Sequence, residues 1–162
     1  QLSVAEGAMS MTPAVLTLTL LAALHTTSAT NAAGEAYLAK NLQDPAVSQT
    51  PSGLQYRVLK SGKIGGKSPG PNSPCVCHYR GTLIDGTEFD SSYRRGKTAT
   101  FAPNQVIKGW TEALQLMKEG DKWELSIPSD IAYGERGSPP KIPGGSALIF
   151  ELELIEEPNP RH

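Results

Sequence analysis

The chain has 162 residues, room for one domain of ordinary size with a buried core but not for two. Apolar residues make up 38% and charged residues 19%, which excludes a disordered charged tail and a coiled coil, and a net charge of −1 leaves no electrostatic footprint for nucleic acid or anionic lipid. The 16 Gly and 13 Pro follow no G-x-y period, so collagen is excluded and a loop-rich β protein is indicated.

Residues 1–39 form a leader with no Lys or Arg and only two acids, Glu6 and Glu35. Within it, residues 14–24 (AVLTLTLLAAL) are an 11-residue apolar run. That is too short to span a bilayer and matches the apolar stretch of a secretory signal, with Thr30-Asn31-Ala32 as a cleavage pattern before Ala33. The missing basic residues ahead of the run count against a signal. The alternative is a helix starting at Thr12-Pro13 and running to Gln43, about 45 Å long at 1.5 Å per residue. The two readings are compatible. Residues 34–43 (GEAYLAKNLQ) are the better helix by composition, stopped by Asp44-Pro45, and residues 44–53 read as a polar linker.

The body reads as strands. Leu54, Tyr56 and Val58 alternate with Gln55, Arg57 and Leu59. After a Gly/Ser/Pro-rich loop over 61–74, Cys75, Cys77 and Tyr79 share one strand face, with Val76, His78 and Arg80 on the other. A disulfide between cysteines two residues apart would be badly strained, so the pair reads as small apolar side chains in the core. Asp85-Gly86 signals a tight turn, which pairs 75–84 with 87–90 as a hairpin. Thr98 to Phe101 is a short strand. Trp110, Ala113, Leu114 and Met117 recur at i, i+3, i+4 and i+7, the only helix pattern inside the body. Two strands follow, with Trp123, Leu125 and Ile127 on one face of the first and Leu148, Phe150, Leu152 and Leu154 on one face of the second. One short helix on an antiparallel sheet is an α+β arrangement. Between the last two strands, residues 129–146 carry seven Gly or Pro residues and no periodicity, together with Ile131, Tyr133 and Ile142. An irregular connection of that length inside a compact domain is usually functional.

No triad, phosphate loop or metal-ligand spacing is present, so covalent, phosphoryl-transfer and metal chemistry are not indicated, and no cofactor is expected. What stands out is a set of aromatics at strand ends and loops: Tyr79, Phe89, Phe101, Trp110, Tyr133 and Phe150. Singly each reads as core. Their grouping beside a long Pro/Gly loop points to a pocket.

The segments YRGTLIDGTEFDSSYRR (79–95), QVIKGWTEALQLMKEG (105–120), IPSDIAYGERG (127–137) and IPGGSALIFELELI (142–155) resemble the FKBP-type peptidyl-prolyl isomerases. TPSGLQYRVLKSG and WTEALQLM look like the macrophage infectivity potentiator (Mip) branch. The resemblance runs from about Pro51 to Glu157. It implies an α+β fold in which an antiparallel half-barrel of five to six strands wraps one short helix, preceded by an N-terminal helical extension. The division it implies is a leader over 1–33, extension and linker over 34–50, an isomerase domain over 51–157 and a tail over 158–162.

The resemblance also implies a rotamase pocket for proline-containing peptides and for tacrolimus-type macrocyclic inhibitors. Trp110 would form its floor and Tyr79, Phe89, Phe101, Val106, Ile107 and Phe150 its walls. The Ile107 N–H and the Tyr133 hydroxyl would bind ligand carbonyls, and Asp90, oriented by Tyr79 and Arg95, would supply a polar edge. Ile142 would close one side. Tyr79, Phe89, Asp90, Tyr133 and Phe150 are the expected catalytic set. Ala99, Ser138 and Lys141 depart from the better-known small members and predict a more open pocket on that side. The same resemblance implies a secreted or surface location and a virulence-type role. The apolar run is expected to contact another apolar surface, and the short extension favours a monomer. A weak binding module or chaperone on the same scaffold is the rival reading.

Overall fold

The computed structural model describes residues 28–156. The apolar run 14–24, with its signal reading and its expected apolar contact, lies outside the described residues. The described chain forms α1 (Ala32–Asn41), β1 (Ser48–Gln49), β2 (Gln55–Lys60), β3 (Cys75–Leu83), β4 (Glu88–Ser91), β5 (Ala99–Phe101), α2 (Lys108–Leu116), β6 (Lys122–Ile127) and β7 (Leu148–Glu156). The seven strands make one antiparallel sheet in the order β1-β2-β6-β7-β3-β4, and β5 also pairs with β3. This is the α+β arrangement expected, with one strand more than the sequence showed. The extra strand, β1, lies in the stretch expected to be a polar linker. Ser48 and Gln49 are too few and too polar to show a period, and pairing with Tyr56 and Gln55 is what makes them a strand.

The inward-facing residues predicted from alternation are the core in β3, β6 and β7, but not along β2, where Val58 is exposed and Gln55, expected on the outer face, is buried. Cys75 and Cys77 of β3, Leu125 and Ile127 of β6, and Leu148, Leu152 and Leu154 of β7 are fully buried. Ala113, Leu114 and Met117 of the α2 region meet them from the other side, also fully buried. Each such leucine contributes about 1.5–3 kcal/mol on leaving water, which is what seats α2 on the sheet. The helix begins where the Pro103–Gln105 turn delivers the chain, and the Thr111 hydroxyl donates back to the Pro103 carbonyl at 2.5 Å. Its last turn ends at Met117, whose extended backbone leaves the helix while its side chain stays in the core. The two thiols are not bridged.

A continuous helix from Pro13 to Gln43 does not form. Residues 28–31 are non-helical, and Asn31 is an extended N-cap (φ −69°, ψ 164°) whose side chain accepts the Gly34 N–H at 2.8 Å. Such a cap satisfies one of the free N–H groups of the first turn and starts α1 there. The helix lies on the face of the sheet opposite α2. Tyr37 Oη is 2.9 Å from Ser126 Oγ, and Asn41 donates to the Gln55 side chain at 2.9 Å. Ser126 and Gln55, neighbours across β2 and β6, are therefore buried rather than on an open polar face.

Candidate active site

Four strands and the start of α2 enclose a cavity of about 860 Å³. Trp110 forms its floor because it lies on the inner face of α2, two residues beyond the first helical position. The indole is nearly buried at 4% exposure and touches three rings. Tyr79 of β3 and Phe150 of β7 meet it edge-on at 5.1 and 4.9 Å between centroids, and Phe101 of β5 lies tilted at 5.2 Å. Phe89 of β4 meets Phe150 edge-on at 5.4 Å. Edge-to-face contacts put positive ring edges on negative ring faces, so the box is held by electrostatics as well as burial. Among the described residues the Trp110 Nε1–H has no hydrogen-bond partner.

The box has a bare patch in its wall. Gly81 sits opposite Asp90 on β4 and Phe150 on β7. A Cβ there would stand 2.6 Å from the Phe89 ring and 2.7 Å from Phe150. Only glycine lets both rings close over the strand.

One edge is polar. The Tyr79 hydroxyl donates to Asp90 Oδ2 at 2.6 Å, Arg95 Nη1 donates to Asp90 Oδ1, and Arg95 Nη2 donates to the Tyr79 hydroxyl at 2.8 Å. The three side chains close a triangle, with the guanidinium carbon 5.5 Å from the Tyr79 ring centroid. Partial burial pushes the Asp90 carboxyl up, but the Tyr79 and Arg95 hydrogen bonds and the Arg95 charge outweigh it and hold it below the usual carboxylate range. Burial, then the hydrogen bond to Asp90, push the Tyr79 phenol up. Burial and the Asp90 charge do the same to Tyr133. The edge therefore presents a fixed carboxylate and two neutral phenols at neutral pH.

The long loop closes the remaining side. It starts with a single 3-10 turn (Ser129–Ile131) and folds back on itself, Ser138 and Ile142 exchanging main-chain hydrogen bonds of 2.9 and 3.1 Å. Gly137 permits the fold: its φ is +67°, and a Cβ would stand 2.4 Å from the Ile142 carbonyl. Tyr133 is half-exposed at the rim, and Ile142 is buried.

Of the eleven site residues expected from sequence, ten line the cavity; Arg95 does not, and acts only through Asp90 and Tyr79. Five lining residues were not expected as site residues: Gln105, Ser138, Pro139, Pro140 and Lys141. Gln105 anchors the turn before α2 by accepting the Ala102 N–H at 2.9 Å. Lys141 reaches across the rim to donate to the Phe89 carbonyl at 3.1 Å. Ala99 pairs with Cys77 and does not line the cavity, and Phe101, two residues on, fills the wall between Tyr79 and Trp110. Gln105 adjoins the expected Val106, and the two prolines lie in the 129–146 loop whose length and composition already marked it as functional.

A family model described as FKBP-type peptidyl-prolyl cis-trans isomerase matches residues 65–155, and one described as the domain amino-terminal to it matches residues 15–58. The chain is 51% identical over 125 residues to the FKBP-type 22 kDa peptidyl-prolyl cis-trans isomerase of Escherichia coli, covering 77% of this chain and 60% of that one. It is 48% identical over 124 residues to the outer membrane protein MIP of Legionella longbeachae, covering 76% of this chain and 52% of that one. The crystal structure of a peptidyl-prolyl cis-trans isomerase from Pseudomonas syringae superposes with a TM-score of 0.71 at 38% identity, over 76% of this chain and 90% of that one. The chain thus spans 60% and 52% of the length of the two curated relatives. With the matched segment containing every wall of the aromatic box, the chain belongs to the FKBP-type peptidyl-prolyl isomerase family and has Mip proteins among its relatives.

Proposed function

We propose that the protein is a peptidyl-prolyl cis-trans isomerase that accelerates rotation about X–Pro bonds. The observation that carries this is the aromatic box on Trp110 with one polar edge, inside a chain of this family. Rotation about an X–Pro bond is opposed by amide resonance and takes tens of seconds or longer unaided. Resonance places partial charge on the amide oxygen and nitrogen, and the twisted transition state loses it. An apolar box of Trp110, Phe89, Phe101 and Phe150 therefore disfavours the planar form relative to the twisted one. Each tenfold acceleration needs about 1.4 kcal/mol of this differential stabilisation.

Tyr79, Phe89, Asp90, Tyr133 and Phe150 act on the rotating bond, Phe101, Val106, Ile107, Trp110 and Ile142 hold the substrate, and Arg95, expected to bind it, acts through Asp90 and Tyr79. The Ile107 N–H and the Tyr133 hydroxyl receive substrate carbonyls. The rim fixes the substrate in a turn while the proline ring sits on the indole. The same box takes tacrolimus-type macrocycles. No step breaks a covalent bond, so no nucleophile is used.

A protease-coupled assay on a short proline peptide tests the reading. An unchanged spontaneous rate at micromolar protein refutes it and leaves a binding module. Residues 51–157 constitute the isomerase domain and 34–50 the extension and linker; the expected leader over 1–33, as far as residue 27, and the expected tail over 158–162 lie outside the described residues. The outer membrane protein MIP relative supports a secreted or envelope location, which fractionation of the source cells checks, and the name macrophage infectivity potentiator of another relative supports a virulence-type role. In solution the protein is a monomer, which light scattering checks.

A further inference from the structure

The loop that brings Tyr133 and Ile142 to the pocket is held at both roots by the segment just before α1. At the first root, Asp130 Oδ1 accepts the Ala29 N–H at 2.9 Å and Oδ2 accepts the Ser28 hydroxyl at 2.9 Å. The Thr30 hydroxyl lies 3.3 Å from the same Oδ2, and its oxygen accepts the Ser129 N–H at 2.9 Å. Thr30 and Ser129 are both buried, so this last bond cannot be replaced by water. At the second root, the Asn31 N–H donates to the Gly145 carbonyl at 2.8 Å.

Inside the loop the two roots are joined. The Gly145 N–H donates to the Gly134 carbonyl at 2.9 Å, and the Gly134 N–H donates to the Ser129 carbonyl at 2.8 Å. The bonds form a circuit from Thr30 and Asn31 through Gly145 and Gly134 to Ser129, and Tyr133 is the residue before Gly134. The loop's other contacts include the Ser138–Ile142 and Gly137–Tyr133 main-chain bonds within it, the Lys141 bond to the Phe89 carbonyl, and the partly buried Ile131 and Ala132 against the core. Tyr133 is half-exposed, and Ile142 is the loop's one buried apolar side chain. A segment with few buried apolar contacts has low local stability, so polar contacts at its roots decide how often it is in place.

We propose that Asp130 is a positioning residue of the pocket, and that with Thr30 and Asn31 it makes residues 28–31 a clamp that sets the fraction of molecules with Tyr133 in its binding position. The proposal rests on the isomerase reading for its kinetic consequence. When only a fraction of molecules is competent, apparent affinity falls by that fraction while the bound complex reacts as before. The clamp therefore acts on KM and leaves kcat alone. It also makes the N-terminal segment a lever, because whatever displaces residues 28–31 loosens the pocket wall.

The test uses the full chain with Asp130→Ala and Asp130→Asn. Asparagine keeps an oxygen for the Ala29 N–H, and its amide can donate to the Ser28 or Thr30 hydroxyl. Asp130→Ala is expected to raise KM about tenfold with kcat within about twofold, and Asp130→Asn to restore most of the loss. Amide hydrogen exchange at Gly134 and Gly145 is expected to quicken about tenfold in Asp130→Ala. A folded Asp130→Ala with wild-type KM, or with wild-type protection at both glycines, overturns the clamp. If Asp130→Ala does not fold, Thr30→Val carries the same two measurements. A wild-type protein without isomerase activity refutes the function instead, and the exchange rates then decide the clamp alone.

Discussion

Replacing Gly81 with alanine adds one methyl group between two walls of the pocket. The new carbon would stand 2.6 Å from the Phe89 ring and 2.7 Å from the Phe150 ring, where carbon contacts are comfortable at about 3.5–4.0 Å. Each ring must retreat by roughly 1 Å. Phe150 is backed by Trp110 at 4.9 Å, so the room for retreat lies in the cavity itself. Overpacking of this kind costs about 1–3 kcal/mol, offset by about 0.5–1 kcal/mol for removing a glycine from a strand. The expected net loss of stability is about 1–2 kcal/mol, read as a shift of the urea midpoint at constant slope. The narrowed cavity is expected to raise KM about tenfold, or about 1.4 kcal/mol of binding. Phe89→Leu in the same background removes one of the two clashing rings. The double variant should therefore be more stable than the sum of the singles by about 1 kcal/mol. If the effects add within about 0.5 kcal/mol, or if Gly81→Ala keeps its KM, the close approach does not shape the pocket and the reasoning is refuted.

Tyr133→Phe is expected to keep more activity than Asp90→Ala, because one change removes a hydroxyl and the other opens the whole Tyr79–Asp90–Arg95 triangle. The ratio of kcat/KM values on one peptide decides it. Both charges of that triangle are about two-fifths exposed (41% and 42%), so Asp90→Ala should cost less than about 1 kcal/mol of stability whatever it does to activity. The depressed Asp90 carboxyl stays ionised, and contributes its interactions, above its ordinary unfolded value of 3.8, losing them only as pH falls through its lower folded value. The raised Tyr79 and Tyr133 phenols stay neutral to alkaline pH, so kcat/KM should be flat from about pH 5 to about pH 9. An acid limb near about pH 6 would remove Asp90 from its assigned role. A tacrolimus-type macrocycle should change Trp110 emission and abolish activity together. Trp123 stacks on Tyr56 away from the lining, so Trp123→Phe isolates the signal, and a silent titration that leaves activity intact would sink the assignment.

The residues legible in the sequence were those whose roles repeat along the chain or match a family pattern. Alternation placed Cys75, Cys77 and Tyr79 on one face, and Asp85-Gly86 marked the hairpin, because both are short-range signals. The aromatic walls were found as a set because their motifs keep their spacing. The hydrogen bonds from Ser28 to Asn31 had no such signature. They join polar residues about a hundred positions apart, and nothing local distinguishes Asp130 from any surface acid. Likewise Lys141 showed only as an unusual loop residue, since its bond goes to a main-chain carbonyl on another strand. Gly81 could not be read either, because its need for a bare Cα arises from rings on two other strands.

The buried pair on β3 has a use at the bench. Cys75 donates to the Phe101 carbonyl at 3.1 Å, and its hydrogen bond with Cys77, followed by burial, pushes the Cys77 thiol up. Both side chains are inaccessible, and the thiolate that alkylating reagents require is scarce in the folded chain. These are the chain's only two sulfhydryls. Modification by iodoacetamide or a maleimide therefore waits on the opening of β3, the central partner of β4, β5 and β7. The chain thus carries its own clock for the opening of the sheet, and a thiol-reactive dye added to a variant with a cysteine introduced in an exposed loop will react there long before it reaches the sheet.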